Sequence, residues 1–325
     1  MSASLVCSSA VAALVAIPST VIWSYSVGGA ILAIGLAVIF LRGDWQKARG
    51  WDKLILLGPL FYAAPLAAFG TEHFTLTPLI ASLIPAWIPW HYFWALFVGT
   101  CFIAAPLSFA TKFQVRLSAS LLALTFFLFV VLMDAPGWIR HPHSRFALAY
   151  GLRELSFGAG PLALAASLSE EWRSRGTHIL ATIARYVLAV AVLVYSFEQF
   201  MHGDHVPGVP LEMVTPAWIL GHAIWTYVAA AAYAVGGILL LVGKRTRAAA
   251  AWVGLAVLFV VLVVYVPMAI VERASLDNGL NYLGDTLMFG GTVLLVAGAM
   301  PREEEQRETA AERRATTPEV AASGR

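Results

Sequence analysis

Charged residues are scarce in this chain of 325 residues, where Asp, Glu, Lys and Arg together account for only 12% of the sequence. Hydrophobic residues account for 59%, and the mean hydropathy is +0.76. A water-soluble globule of this size needs more polar surface than such a composition supplies. The scarcity of charge therefore argues against an ordinary soluble protein and indicates that most of the chain lies in lipid.

Cysteine and the common catalytic motifs are also nearly absent. The two cysteines, Cys7 and Cys101, form no C-x-x-C pair, so thiol–disulfide relay chemistry is not expected. There is no glycine-rich phosphate loop, nucleophile elbow or zinc-protease motif. Strand-like alternation of apolar and polar residues is missing too, which argues against a β-barrel. The sequence leaves open whether the protein is an enzyme.

The sequence does contain a series of long apolar runs, each able to cross a hydrocarbon core about 30 Å thick as a helix. Nine are predicted, at 21–41, 53–70, 87–109, 116–133, 147–167, 179–199, 217–242, 248–270 and 279–299. The first charged residue is Arg42, so a cleaved signal peptide is not expected. The predicted fold class is all-α, a polytopic membrane protein with about nine transmembrane helices.

The basic residues between these runs fall mainly on one side of the membrane. Basic turns at 42–53, 112–116, 173–175 and 244–247 share that side, whereas Arg140, Arg145 and Arg273 fall on the other. The positive-inside rule makes the first side cytoplasmic, with the N-terminus outside and the C-terminus in the cytoplasm. Because topology explains the basic patches, nucleic-acid binding has no support.

A repeat with an offset of 131 residues runs through the chain. The stretch IPAWIPWHYFW from residue 84 returns as TPAWILGHAIW from residue 215. The same offset relates further pairs: Arg116 and Arg247, Pro136 and Pro267, Glu154 and Asp285, Gly160 and Gly291. Upstream, a loop about five residues longer in the second copy reduces the offset to 126 and aligns Glu72 with Glu198. A fixed offset indicates tandem duplication, and an even number of helices in each copy predicts a parallel repeat.

The predicted organisation has four parts. A leading segment, 1–52, carries one transmembrane helix, and two four-helix units follow at 53–170 and 171–300. A tail, 301–325, has no apolar run and is predicted to be disordered or weakly helical in the cytoplasm. In each unit, the second helix is predicted to open with P-A-W-I-x-x-H-x-x-W and the third to end at a proline.

The second unit carries an ordered series of short motifs. They are RYVLAVAVLVYSFEQF from Arg185, the pair Gly236 and Gly237, LLVGKRTRAAA around Arg247, the break at Pro267 and the acid Asp285. In this order they resemble the DoxX family of small four-helix membrane proteins, and the first unit is similar to a more diverged copy, so the likeness covers about 53–299. At 233–235 the chain departs from the family, because many members carry an acidic residue there.

The resemblance implies a role next to membrane redox chemistry. The DoxX family is linked to membrane oxidoreductase systems, including a thiosulfate:quinone oxidoreductase subunit. The chain is accordingly expected in a bacterial inner (plasma) membrane, as an accessory subunit of a quinone or electron-transfer system with an oxidoreductase partner.

Acids and histidines gather on the predicted outer side of both units. The candidate ligand or proton-relay residues are Glu72, His91 and Glu154 in the first unit and Glu198, His222 and Asp285 in the second. Carboxylates with an imidazole can bind a divalent metal, relay protons or hold a polar headgroup such as a quinone. Alternatively, these groups bond only to one another and to interfacial water. Arg153 is expected to seek a partner across the bundle, for example Glu72, in a structural role.

Two further patterns accompany these residues. Trp94 and Trp225 each follow a histidine by three positions, so a ring can orient the imidazole in both units, although an aromatic belt at headgroup level also explains them. The stretch EQFMHGDH from Glu198 offers His202, Asp204 and His205 as metal ligands, with a solvated loop as the alternative.

Three functions follow as hypotheses. The first is the redox-linked membrane subunit, with a quinone as its cofactor. The second is a small-solute or metal transporter, or a metal-handling protein with a divalent metal, whose duplicated halves enclose the site. The third is a structural membrane scaffold without a ligand, whose only certain partner is the lipid bilayer.

Overall fold

The structure is a computed structural model, and it describes residues 17–169, 175–208 and 213–302. In these ranges the chain is helical, and its only strand-like pairing is an isolated bridge between His205 and Val214. The first six helices are α1 (Ser19–Leu41), α2 (Asp44–Lys47), α3 (Trp51–Thr75), α4 (Thr77–Leu83), α5 (His91–Thr111) and α6 (Val115–Phe129). The others are α7 (Ala135–Arg140), α8 (Arg145–Ser167), α9 (Arg175–Met201), α10 (His222–Val242), α11 (Thr246–Val260), α12 (Val266–Val271) and α13 (Tyr282–Gly298). The predicted all-α class is confirmed.

Eight helical segments of the described chain are long and apolar enough to cross a membrane. They are Ser19–Leu41, Trp51–Thr75, His91–Thr111, Val115–Arg140, His178–Met201, Ala223–Val242, Thr246–Val271 and Leu276–Gly298. This supports a multi-pass membrane protein. The ninth predicted span corresponds to α8, which is 23 residues long but carries the charged residues Arg145, Arg153 and Glu154.

Helix boundaries recur along the chain with the 131-residue offset of the sequence pattern. Adding that offset to the bounds of α5, α6 and α7 reproduces those of α10, α11 and α12. The bounds of α8 likewise become 276–298, the span of a π-helical turn, Leu276–Asn281, followed by α13. With an offset of 126, the end of α3 corresponds to the end of α9. We refer to residues 51–167 as the first half and to 175–298 as the second half.

The P-A-W-I motif forms a turn and not the predicted start of a helix. In both halves its isoleucine amide donates to the proline carbonyl, Ile88 to Pro85 at 2.9 Å and Ile219 to Pro216 at 3.0 Å. A left-handed residue follows, with φ of 60° at Trp90 and 70° at Gly221. Because this conformation cannot continue an α-helix, the helix begins only at the histidine.

The third helix of each half continues past its proline, contrary to the prediction that it ends there. A π-helical turn, Val130–Asp134 or Val261–Tyr265, precedes Pro136 or Pro267, and a short helix follows. Proline at the start of that short helix needs no amide hydrogen bond, so the chain can continue in the same direction. The π-turn also turns the side chain of Asp134 towards a cavity in the first half.

The two halves interlock through their first and last helices. The last helix of the second half, α13, packs along α3 of the first half, and α8 packs along α9 in the same way. Helices α8 and α13 also contact each other, while α1 covers α3. Helices α3 and α13 approach each other closely at Gly291, where a Cβ atom would lie 2.4 Å from the backbone nitrogen of Tyr62. Each half therefore supplies a helix to the packing of the other, which brings acids from both halves together.

Candidate functional site

A cavity of about 990 Å³ lies mainly within the first half. Its walls come from α3, α4, α5, α6 with the following π-turn, α8 and the end of the second half from Asp277 to Met288. Most of the wall is aliphatic or aromatic, with aromatic side chains that include Phe69, Trp94, Phe102, Phe126, Phe129 and Phe157. A concave, mostly apolar cavity with a few convergent polar groups is the usual form of a small-molecule site.

The polar groups of this cavity centre on Arg153. Its Nη1 donates to Asp285 Oδ2 at 2.8 Å, and its Nη2 donates to Glu154 Oε1 at 3.2 Å. The guanidinium also lies over the ring of Tyr150, with 4.5 Å between the guanidinium carbon and the ring centroid. Arg153 thus has a partner across the bundle, as predicted, but the partner is Asp285 and not Glu72.

Several buried polar atoms around this ion pair lack a hydrogen-bond partner in the described structure. They are Glu72 Oε1, Asp134 Oδ2, the Nε of Arg153 and Asn281 Oδ1. Because buried polar atoms are nearly always hydrogen-bonded, these atoms are available to a ligand or to water. They include acceptors and one cationic donor, so a headgroup with both donors and acceptors can be satisfied here.

Acids outnumber bases in the cavity. Five carboxyl groups line the cavity, those of Glu72, Asp134, Glu154, Asp277 and Asp285, together with the single guanidinium of Arg153, which bonds to Glu154 and Asp285. At bilayer depth, unbalanced charges are costly, so protons or donor groups of a ligand must offset part of this surplus. The site is therefore suited to exchanging protons or to accepting hydrogen bonds and positive charge.

The structure brings four of the candidate residues to this cavity. The four in its lining are Glu72, Glu154, Asp285 and Trp94. His91, the first residue of α5, is half-buried and is not part of the lining. The side chain of His222 lies outside the described part of the structure, whereas its backbone begins α10.

Glu198 lies in a separate ion pair, so the second predicted set is not gathered around Asp285. Arg145 Nε donates to Glu198 Oε2 at 2.5 Å, which links the start of α8 to the end of α9. His202 Nε2 lies 3.8 Å from the same carboxylate oxygen. The grouping differs from the prediction because α13 packs against α3, which carries Asp285 towards the first half.

The residues predicted as metal ligands form a polar turn after α9. His205 Nδ1 lies 2.9 Å from Asp204 Oδ1, and this hydrogen bond lowers the pKa of the exposed Asp204 carboxyl. The rings of His202 and His205 lie 5.5 Å apart. Over residues 17–169, 175–208 and 213–302, no three His, Cys, Asp or Glu side chains are grouped so that they could hold a metal ion.

Trp225 differs from Trp94 in its surroundings. Its Nε1 donates to the carbonyl of Leu220 at 2.9 Å, and its ring meets that of Phe259 at 5.6 Å. Trp94 instead meets Phe97 and lines the cavity. The two tryptophans are therefore not equivalent in the structure, although their spacing to a histidine is the same.

Sequence reasoning missed Asp134 and Asn281, and it treated Arg153 as structural only. Asp134 is an isolated acid at the end of an apolar run, just before Pro136, and such an acid is by default a functional candidate. Asn281 carried no comparable signal, because it lies near a predicted helix end where polar residues are common.

Comparisons of the chain with protein-family models, curated proteins and solved structures return no match. The function must therefore be argued from the cavity itself.

Proposed function

We propose that this multi-pass membrane protein binds a lipophilic ligand with a polar headgroup in the first-half cavity, and that the ligand is a quinone or quinol. The observation that carries the proposal is a cavity of about 990 Å³ whose mostly apolar, aromatic-rich walls carry a cluster of charged groups around Arg153. A quinone carbonyl can accept from the Nε of Arg153, and a quinol hydroxyl can donate to Glu72 or Asp134. The aromatic and aliphatic walls suit the ring and its hydrocarbon tail.

We further propose the architecture that the sequence predicts. Nine spans are supported by α8, whose 23 residues extend about 35 Å and which packs between other helices. Two duplicated four-helix units are supported by the recurring helix boundaries. The resemblance to the DoxX family and the distribution of basic residues then suggest a bacterial inner membrane, with the N-terminus outside.

In this proposal the chain is an accessory subunit of a membrane redox system. It supplies a binding site and proton-accepting carboxylates, while the electrons pass between the quinone and a partner oxidoreductase. The surplus of acids around Arg153 supports proton transfer at the headgroup.

The experiment is quinone analysis of protein purified in native lipid. Organic extraction and chromatography should recover a quinone from the wild type, and a short-chain quinone should bind to lipid-stripped protein. Glu72→Gln should weaken that binding about tenfold or more, because it replaces a carboxyl group, which can hydrogen-bond and exchange a proton with the headgroup, by an amide that cannot exchange one. Glu198→Gln is the matched control, since it alters the corresponding residue of the second half outside the cavity. Equal loss in both variants, or no binding by the wild type, contradicts the proposal.

A second candidate is transport of a lipophilic cation. It is favoured by one observation, the five carboxyl groups that line the cavity together with a single arginine. A tetraphenylphosphonium-type probe should then bind more tightly than the quinone, and its flux into proteoliposomes should require Glu72 and Asp134. A protein that binds neither probe would support the scaffold hypothesis.

A further inference from the structure

A short segment of the second half, His205–Gly208, is held by three side chains from three helical elements. Thr226 Oγ1 donates to the carbonyl of His205 at 2.8 Å, and the Tyr265 hydroxyl donates to that of Pro207 at 2.7 Å. Gln199 Nε2 donates to the carbonyl of Gly208 at 3.3 Å. All three donors are buried, so the interior of the second half satisfies the backbone of this segment almost residue by residue.

The same segment is tightly packed. Val206 is 0% exposed and belongs to an apolar cluster with Ile219, Val264 and Met268. Gly208 has a φ of 139°, and a Cβ atom there would lie 2.7 Å from the Tyr265 hydroxyl. From Val206 to Gly208 the segment is therefore an inserted part of the interior and not a loop that lies on the surface, while His205 joins it to the polar turn.

The three donors occupy positions that line the cavity in the first half. With the offset of 131, Thr226 corresponds to Ala95 and Tyr265 to Asp134, and both Ala95 and Asp134 line the cavity. With the upstream offset of 126, Gln199 corresponds to His73, which is also in the lining. The inserted segment thus fills the place in the second half that the cavity occupies in the first.

The first half remains open because its own connection folds differently. The chain after α3 forms α4, which borders the cavity with Ile80 and Leu83. Ala95 has no side-chain donor, and Asp134 Oδ2 is buried without a partner, whereas the corresponding Tyr265 is bonded to the inserted segment. The second half therefore has side-chain donors where the segment His205–Gly208 is bound, and the first half lacks those donors where the cavity is open.

We infer that His205–Gly208 is an internal occupant of the second-half counterpart of the cavity, so that the chain holds a single lipophilic ligand, in the first half. The single-ligand part of this inference rests on the function proposed above, whereas the internal occupant rests on the contacts of the segment alone. The second half then carries a latent site whose donors match carbonyl acceptors, the same acceptors that a quinone presents.

Cysteine labelling tests the internal occupant without any ligand. In a full-length background with Cys7 and Cys101 replaced by alanine, Val206→Cys should react with N-ethylmaleimide far more slowly than Asp204→Cys, its exposed neighbour. Adding Tyr265→Phe should accelerate the labelling of Val206→Cys about tenfold, the factor expected when a lost hydrogen bond shifts a local opening equilibrium. Tyr233→Phe is the matched control, because the Tyr233 hydroxyl is buried without a hydrogen-bond partner.

Ligand stoichiometry tests the second part. The wild type should bind one short-chain quinone per chain, and Ala95→Phe, which projects a bulky ring into the first-half cavity, should weaken that binding. Labelling of Val206→Cys at the rate of Asp204→Cys, or two quinones per wild-type chain, would overturn the inference. Protected Val206 together with no quinone binding by any variant would instead reject the proposed function and leave the internal occupant in place.

Discussion

At the scale of single residues, Arg153 is the group on which the cavity depends. It is the one arginine among the five carboxyl groups that line the cavity, and it joins Glu154 of its own helix to Asp285 of the other half. An ion pair of this kind brings little net stability when both partners are present, since desolvation offsets the attraction. Loss of one partner is different, because a charge is then left in the interior without compensation.

Replacing Arg153 should therefore destabilise the protein strongly. Arg153→Gln removes the cation that bonds to Asp285 and Glu154, and the expected cost is about 3–5 kcal/mol. The thermal unfolding midpoint in detergent should fall clearly, while Arg140→Gln, at an exposed arginine, should leave it within about 0.5 kcal/mol of the wild type. The double variant with Asp285→Asn should lose less than the sum of the two single losses. Additive losses would mean that the two residues do not interact.

The sequence could identify single candidate residues of the site but not which of them lie together. Glu72, Glu154 and Asp285 could be selected because acids within apolar runs are rare. Their grouping could not be predicted, since the spacing of residues on one helix does not specify which helix lies opposite. The repeat predicted two symmetric sets of acids and histidines. In the structure, Asp285 instead pairs with Arg153 of the first half, and Glu198 pairs with Arg145.

At the scale of elements, the positions of helices were readable from the sequence, while their ends were not. Apolar runs separated by basic turns predict membrane helices well because lipid leaves few alternatives. The motifs at the ends were misread, since P-A-W-I forms a turn and the helices with Pro136 and Pro267 continue through π-turns. A proline signals a missing amide donor, and a π-turn is one of several ways in which a helix can tolerate it.

The close contact between α3 and α13 depends on glycine. At Gly291 a Cβ atom would lie 2.4 Å from the nitrogen and 2.7 Å from the Cα of Tyr62, and backbone atoms cannot move aside as a flexible side chain can. Gly291→Ala should force the two helices apart and cost about 1–3 kcal/mol, even though alanine favours helix. The measurement is the unfolding midpoint in detergent.

The control for this substitution is Gly29→Ala in α1. Nothing lies within 4 Å of a Cβ atom at Gly29, so alanine there should leave stability unchanged or raise it by up to about 1 kcal/mol. Equal effects at the two glycines would show that the contact between α3 and α13 is looser than its geometry indicates.

At the scale of the whole molecule, the two halves form one interlocked structure. Each half contributes its last helix to the first helix of the other, so neither half buries its helices alone. A sequence repeat predicts two similar units, and it does not distinguish units packed side by side from units that exchange neighbours. The distinction matters for function, because the exchange brings Asp285 to the cavity while the inserted segment His205–Gly208 fills the second half.

The interlocking also predicts an unequal role for two arginines at corresponding positions. Arg247 Nη2 donates to Asp52 Oδ1 of the first half at 2.6 Å, and its Nη1 donates to the carbonyls of Ala297 and Met300 at 3.1 and 3.2 Å. It thereby joins the start of α3 to the carbonyl end of α13, where a cation is favourable. Arg116, 131 positions earlier, is exposed.

Arg247→Gln should lower the unfolding midpoint by an amount equivalent to about 1–3 kcal/mol, because charged hydrogen bonds between the halves are lost. The loss should stay within this range because Asp52 is partly exposed and solvent screens its ion pair with Arg247. Arg116→Gln should change it by no more than about 0.5 kcal/mol. Calorimetry of both variants in the same detergent checks this, and Asp52→Asn in the Arg247→Gln background should add little further loss. If Arg116→Gln lowered the unfolding midpoint by the same amount, the loss of basic charge in general would explain both results. The hydrogen bonds of Arg247 between α3 and α13 would then have no special role.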